Sequence, residues 1–110
     1  MTTGFVWFSL GANDAPTTRD FSATLRGWEI AEEGTVAGDD RPWAAITPTQ
    51  DGEPSAWLPY VQVDDVDQAT DRARELGATV LREKTAGPAG EFTTIADPSG
   101  APIALWQPGG

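Results

Sequence analysis

Cysteine and histidine are both absent from this 110-residue chain, and lysine and arginine together number only seven. Without cysteine there is no disulfide framework, no thiolate metal site and no thiol nucleophile, and a reducing, cytoplasmic location is the natural expectation. Without histidine, a zinc or iron site loses its imidazole ligands and a serine nucleophile loses its usual activating base. Seventeen acidic residues stand against the seven basic ones, giving a net charge of −10. That charge repels phosphate backbones and anionic lipid, so neither nucleic acid nor a membrane is an expected partner. Long hydrophobic runs are missing too. The opening MTTGFVWFSLGAND has no basic n-region and only a short apolar stretch, which reads as neither a signal peptide nor a membrane span.

What the chain does have is aromatic residues, five tryptophans, four phenylalanines and one tyrosine, within a hydrophobic content of 39%. At this length they suffice for one modest core, so residues 1–110 are expected to form a single domain. Acidic pairs at Glu32-Glu33, Asp39-Asp40 and Asp64-Asp65 read as a solvated surface, with attraction of a cationic ligand as the sharper alternative.

An internal repeat organises the rest. The segment WLPYVQVDDVDQATDRARELGATVL predicts a strand over Trp57 to Val63, a helix over Val66 to Leu76 and a second strand from about Thr79. Asp65 is placed to cap the helix, Val66, Ala69, Ala73 and Leu76 form its apolar stripe, and Gly77 supplies a left-handed stop. The earlier FVWFSLGANDAPTTRDFSATLRGWEI repeats the order, with a strand over Phe5 to Leu10, Asp14 as cap, a stripe of Thr18, Phe21 and Leu25, and Gly27 before another strand. RPWAAITP (Arg41 to Pro48) closes the first module as APIALWQP (Ala101 to Pro108) closes the second. TVAGDD reads as a short hairpin, TQDGEPSA as the linker, and EKTAGPAGEFTTIADPSG as a loop, a strand near Phe92 to Ala96 and a tight turn. The modules span about residues 4–50 and 56–109. Two helices with about eight strands make an α+β layer, its helices on one sheet face and the other face free.

The pattern W-x-x-Y-V-x-V-D-D-V-D, then E-L-G, then G-x-F-x-x-I-A-D-P-S-G-A-x-x-A-L-W resembles the vicinal oxygen chelate superfamily of glyoxalase I, bleomycin-resistance proteins and extradiol dioxygenases. The resemblance covers essentially the whole chain. It implies two tandem βαβββ modules forming a curved, cup-shaped mixed sheet with helices on its outer face. It also implies, for many members, a metal held by His or Gln on the first strand and Glu on the last strand of each module. Counting back from the two helix caps puts the first-strand positions at Trp7 and Leu58, while the last-strand positions fall at Ala44 and Ala104 of the two parallel closing segments, and none of the four offers a ligand atom. The expectation is therefore no metal and no cofactor, with glyoxalase, dioxygenase and metal-transferase chemistry in doubt.

Strand alternation assigns the faces. Val6, Phe8, Leu10, Pro59, Val61 and Val63 should meet the helices. Trp7, Ser9, Leu58, Tyr60, Gln62, Phe92, Thr94, Ala104 and Trp106 should line the cup, and all of these except Ala104 are the candidate ligand-binding residues. Trp7, Tyr60 and Trp106 suit stacking, whereas Ser9, Tyr60, Gln62 and Thr94 suit orientation by hydrogen bonds; Asp39, Asp40 and Glu91 would draw in a cation. Each aromatic has a plainer reading as core or dimer interface. Trp28 and Trp43 are assigned to the core and Trp57 is left open. Three functions fit: a metal-free protein of the bleomycin-resistance type sequestering a planar aromatic or cationic compound such as an antibiotic; a metal-independent isomerase, cyclase or lyase of natural-product metabolism using Tyr60 or Glu91; or an interaction module. No catalytic residue is assigned. A homodimer is expected from the strand edges and the family resemblance.

Overall fold

The computed structural model describes residues 4–49, 54–87 and 89–109. It is α+β, in the order β1 (Phe5–Ala12), α1 (Ala15–Arg26), β2 (Thr35–Val36), β3 (Ala44–Pro48), β4 (Ala56–Gln62), α2 (Val66–Glu75), β5 (Thr79–Gly87), β6 (Gly90–Ala96) and β7 (Pro102–Pro108). The second βαβββ module is complete. In the first, the strand expected after Gly27 reduces to a bridge between Ile30 and Val36, so the described residues hold seven strands where about eight were expected. The chain forms two compact units, Trp7–Leu58 and Pro59–Gly110 with the chain start through Val6.

Both helices start where side chains satisfy their free N–H groups. Asp14 accepts from the Thr17 amide and hydroxyl at 3.2 and 2.7 Å. The hydroxyl bond foremost, then the amide bond, holds the Asp14 carboxyl below its ordinary value. Asp65 accepts from the Gln68 amide at 3.0 Å, and the Val66 amide donates to the Gln107 side chain of β7 at 2.9 Å. Asp65→Ala is expected to lower stability by about 1 kcal/mol, read by thermal unfolding. Gly27 ends α1 and Gly77 follows α2, with φ of +70° and +100°.

In the first unit β3 lies between β2, antiparallel, and β1, parallel. Leu10, Ala12, Ala15, Val36, Ala44 and Ile46 form its core, with Phe8, Trp28, Ile30 and Trp43 packed against them. The expected α1 stripe is not the buried one: Phe21 and Leu25 are each 65% exposed, while Ala15 and Ser22 point inward. Small residues seven apart let the helix lie close to the sheet, a role the hydrophobic count gave to the larger side chains. Arg19, also on α1, donates to the carbonyls of Glu32 and Ile46 at 3.2 and 3.0 Å, tying the helix to the turn before β2 and to β3. β2 and the segment to β3 make the expected hairpin, closed by the Trp43 amide on the Val36 carbonyl. Residues 50–53 of the expected linker lie outside the described residues.

In the second unit the strand order is β4-β7-β6-β5, with β4 and β7 parallel and the rest antiparallel. Val66, Ala69 and Ala73 of α2 pack on Val61, Val63, Val80, Ile95, Ile103 and Leu105. Leu76, the last residue of the expected stripe, caps the helix and is 61% exposed. The stretch expected to be a loop from Glu83 is strand: β5 stays paired with β6 to Gly87 opposite Gly90. Asp97 forms the expected turn, accepting from the amides of Ser99 and Ala101 at 2.8 and 3.0 Å.

Candidate functional site

With α2 covering one face of the second unit's sheet, the registers fix what the other face presents. Tyr60 pairs with Ala104 and Ala104 with Thr94; one step along, Gln62 pairs with Trp106 and Trp106 with Phe92. Paired residues share a face, so these six form two adjacent rows. Tyr60 and Phe92 tilt against each other with ring centroids 5.5 Å apart. Ala104 is fully buried at the centre, its small side chain leaving the aromatic groups around it to shape the surface. Five of the eight candidate residues, Tyr60, Gln62, Phe92, Thr94 and Trp106, are thus gathered on one sheet face.

Trp7, Ser9 and Leu58 belong to the other unit. Phe8 registers with Ala44 and Leu10 with Ile46, all packed into the core, which leaves Trp7 and Ser9 on the opposite side of β1 with Ala45. Ala44 therefore faces the core and not the side of Trp7. Ser9 opposite Ala45 corresponds to Tyr60 opposite Ala104; matching the modules by their terminal prolines misplaces β3 by one residue, which reverses every face. The residues do not fit a divalent ion: Trp7, Ala45, Leu58 and Ala104 carry no carboxylate or imidazole, and no cluster of three or more acidic residues occurs among the described residues.

Three tryptophans serve packing. Trp28 meets Trp43 edge-on at 5.0 Å and Trp57 at 6.2 Å, while the Trp43 and Trp57 rings are nearly parallel at 10° and 6.2 Å. Phe8 abuts Trp43 at 6.0 Å. Trp57, the ambiguous one, closes this cluster with 41% of its surface exposed. Of the five, Trp7 and Trp106 remain for an open sheet face.

Glu91 lies on the α2 side. It is paired with Gln107, whose side chain accepts from the α2 amide, and its carboxylate sits 3.9 Å from Lys84. Lys84 also meets Asp67 at 3.1 Å; that hydrogen bond first, the Asp67 charge next and then Glu91 hold the ammonium pKa above its ordinary value. Glu91 is thereby removed from the candidate face.

The residue that sequence reasoning missed is Arg82. It pairs with Thr94, extending the first row to Tyr60, Ala104, Thr94 and Arg82, and its guanidinium carbon lies 5.5 Å from the Phe92 ring centroid. Thr85 extends the second row beside Phe92. Neither row contains a carboxylate.

The glyoxalase-like domain family matches residues 7–106. CFP32 of Mycobacterium tuberculosis, a protein bearing the name glyoxylase, is 30% identical over 115 residues, covering 92% of this chain and 44% of its own. DnrV of Streptomyces peucetius, an anthracycline biosynthesis protein, is 30% identical over 128 residues, 94% of this chain and 46% of its own. The chain thus spans less than half the length of these relatives. Among solved structures, methylmalonyl-CoA epimerase from Mycobacterium tuberculosis superposes with a TM-score of 0.64 at 19% identity, covering 98% of this chain and 89% of that one. A glyoxalase/bleomycin resistance protein/dioxygenase superfamily member from Vibrio splendidus 12B01 does so at 0.65 and 16%, covering 96% and 99%. At these identities the structural likeness concerns the fold.

Proposed function

Since the chain belongs to the glyoxalase-like domain family, we propose that it is a small-molecule-binding protein of the bleomycin-resistance type, holding a planar aromatic compound such as an antibiotic on the Tyr60, Phe92 and Trp106 face of its second module. The observation that carries this reading is the placement of those three aromatics, with Gln62 and Thr94, in two registered rows opposite α2. Flat apolar surface with a few fixed polar groups is how proteins hold organic ligands, and ring faces favour flat partners. The relation to an anthracycline biosynthesis protein supports a fused-ring compound, since anthracyclines have that shape. The reading requires no metal or cofactor.

The alternative, a metal-independent isomerase, cyclase or lyase, loses its carboxylate with Glu91 turned to α2 and keeps Tyr60 as the phenol on the face. The expected homodimer draws support from Phe21 and Leu25, exposed one turn apart on α1.

Titration of the protein with anthraquinone-2-carboxamide and a panel of fused-ring antibiotics, followed by intrinsic tryptophan fluorescence, is expected to show saturable one-to-one quenching. Mass spectrometry of the recovered compounds should find them unchanged. A chemically altered compound would favour the enzyme alternative, and absence of saturable quenching across the panel would end the binding reading.

A further inference from the structure

Arg82 reaches the aromatic face through an irregularity in β5. Val80 pairs with Ile95 and Arg82 with Thr94, so two residues of β5 correspond to one step of β6. Such a bulge reverses the side-chain alternation, and bulges beside sites serve to re-aim a side chain. Val80 packs on the α2 side, and unbroken alternation would send Arg82 there as well. The inserted residue, Leu81, is 57% exposed, and Arg82 instead lies half-buried over Phe92 beside Thr94.

Acidic residues outnumber basic ones seventeen to seven in this chain, yet the charged group that the bulge brings to the aromatic rows is a cation. Three of the six other cations find acceptors among the described residues: Arg74 pairs with Asp71 and Glu83, Lys84 with Asp67 and Glu91, and Arg19 with two carbonyls, whereas Arg26 lies over the Trp28 ring. Among the described residues Arg82 pairs with no carboxylate, and its contact with Phe92 leaves the five N–H donors of its planar fork without a hydrogen-bond partner there. A guanidinium beside a stacking surface is suited to a planar acid, whose ring lies on the aromatics while its anionic oxygens meet the fork.

We propose that Arg82 is a specificity-determining residue that binds a carboxylate or comparable acidic oxygen of a planar ligand stacked beside Phe92 and Trp106. The proposal rests on the binding function above and narrows it: although the overall charge of −10 favours cations at long range, the face itself selects an anion.

The test compares anthraquinone-2-carboxylate with anthraquinone-2-carboxamide, two flat probes of nearly equal shape that differ in charge, by isothermal titration calorimetry. The unmodified protein is expected to bind the carboxylate about ten-fold more tightly than the amide. Arg82→Gln should abolish that preference, the two probes then binding with affinities within about two-fold of each other. Arg82→Lys, which keeps the charge and loses the fork, should retain part of it. Equal affinity for the two probes in the unmodified protein, or a preference that survives Arg82→Gln, overturns the role of Arg82 and leaves the planar-ligand reading standing. Failure of both probes to bind overturns both.

Discussion

Trp106→Ala is expected to weaken binding of a planar ligand by at least about thirty-fold, equivalent to about 2 kcal/mol. Trp106 occupies the middle of the second row, between Gln62 of β4 and Phe92 of β6, on a strand hydrogen-bonded on both sides. Its indole is the largest flat surface in the two rows, and a tryptophan contributes on the order of 150–250 Å² of contact area. Alanine there removes the stacking surface without disturbing the α2 side of β7, where Ile103 and Leu105 pack. The variant should therefore stay folded, as a thermal melt would establish. Calorimetry is the appropriate readout, because the substitution also deletes a fluorescent reporter. Trp57→Ala is the control: its ring belongs to the cluster with Trp28 and Trp43, so it should change stability and leave affinity nearly unaltered. A Trp106→Ala protein that binds as tightly as the original would show that the second module's open face is not the site.

A large effect on stability is expected at Gly34. Its φ of +104° is a conformation that side-chain-bearing residues rarely adopt, and the residue is buried between the Ile30 bridge and β3. A Cβ there would collide with the Ile46 carbonyl oxygen and come within 2.7 Å of the Arg19 guanidinium. Both neighbours are already engaged, since Arg19 donates to that same carbonyl and the Ile46 amide donates to the Gly34 carbonyl. Gly34→Ala thus adds backbone strain to a steric clash that only a shift of β3 or α1 can relieve. About 3 kcal/mol or more of destabilisation is expected, visible as a melting temperature lower by roughly 10 °C or more for a domain of this size. Gly27→Ala provides the contrast: φ is +70° but nothing lies within 4 Å of the added Cβ, so strain alone should operate and the loss should be smaller.

The second module was the more legible half of the chain. Its helix is bounded by a capping aspartate and a following glycine, signals that act within a few residues and need no tertiary partner. Its strands β4, β6 and β7 alternate without interruption through the residues of the two rows, so Tyr60, Gln62, Phe92, Thr94, Ala104 and Trp106 could be assigned to one face from spacing alone. The missing ligand atoms at Trp7, Leu58 and Ala104 were likewise visible in the residue types. The first module was less legible. Phe21 and Leu25 have the spacing of a buried stripe but face outward, because the close approach of α1 to its sheet is made by Ala15 and Ser22.

By itself, then, the sequence determined the α+β class, the paired modules, both helix starts and the aromatic character of one face, all of which follow from local capping chemistry and two-residue alternation. Only the tertiary structure decided the phase of β3, which turns Ala44 inward, and the bulge in β5, which carries Arg82 away from α2 to Phe92. The reason is physical. A strand has a period of two, so one residue inserted or offset reverses every side chain beyond it, and that offset is set by hydrogen-bond pairing with a neighbouring strand, not by the composition of the strand itself.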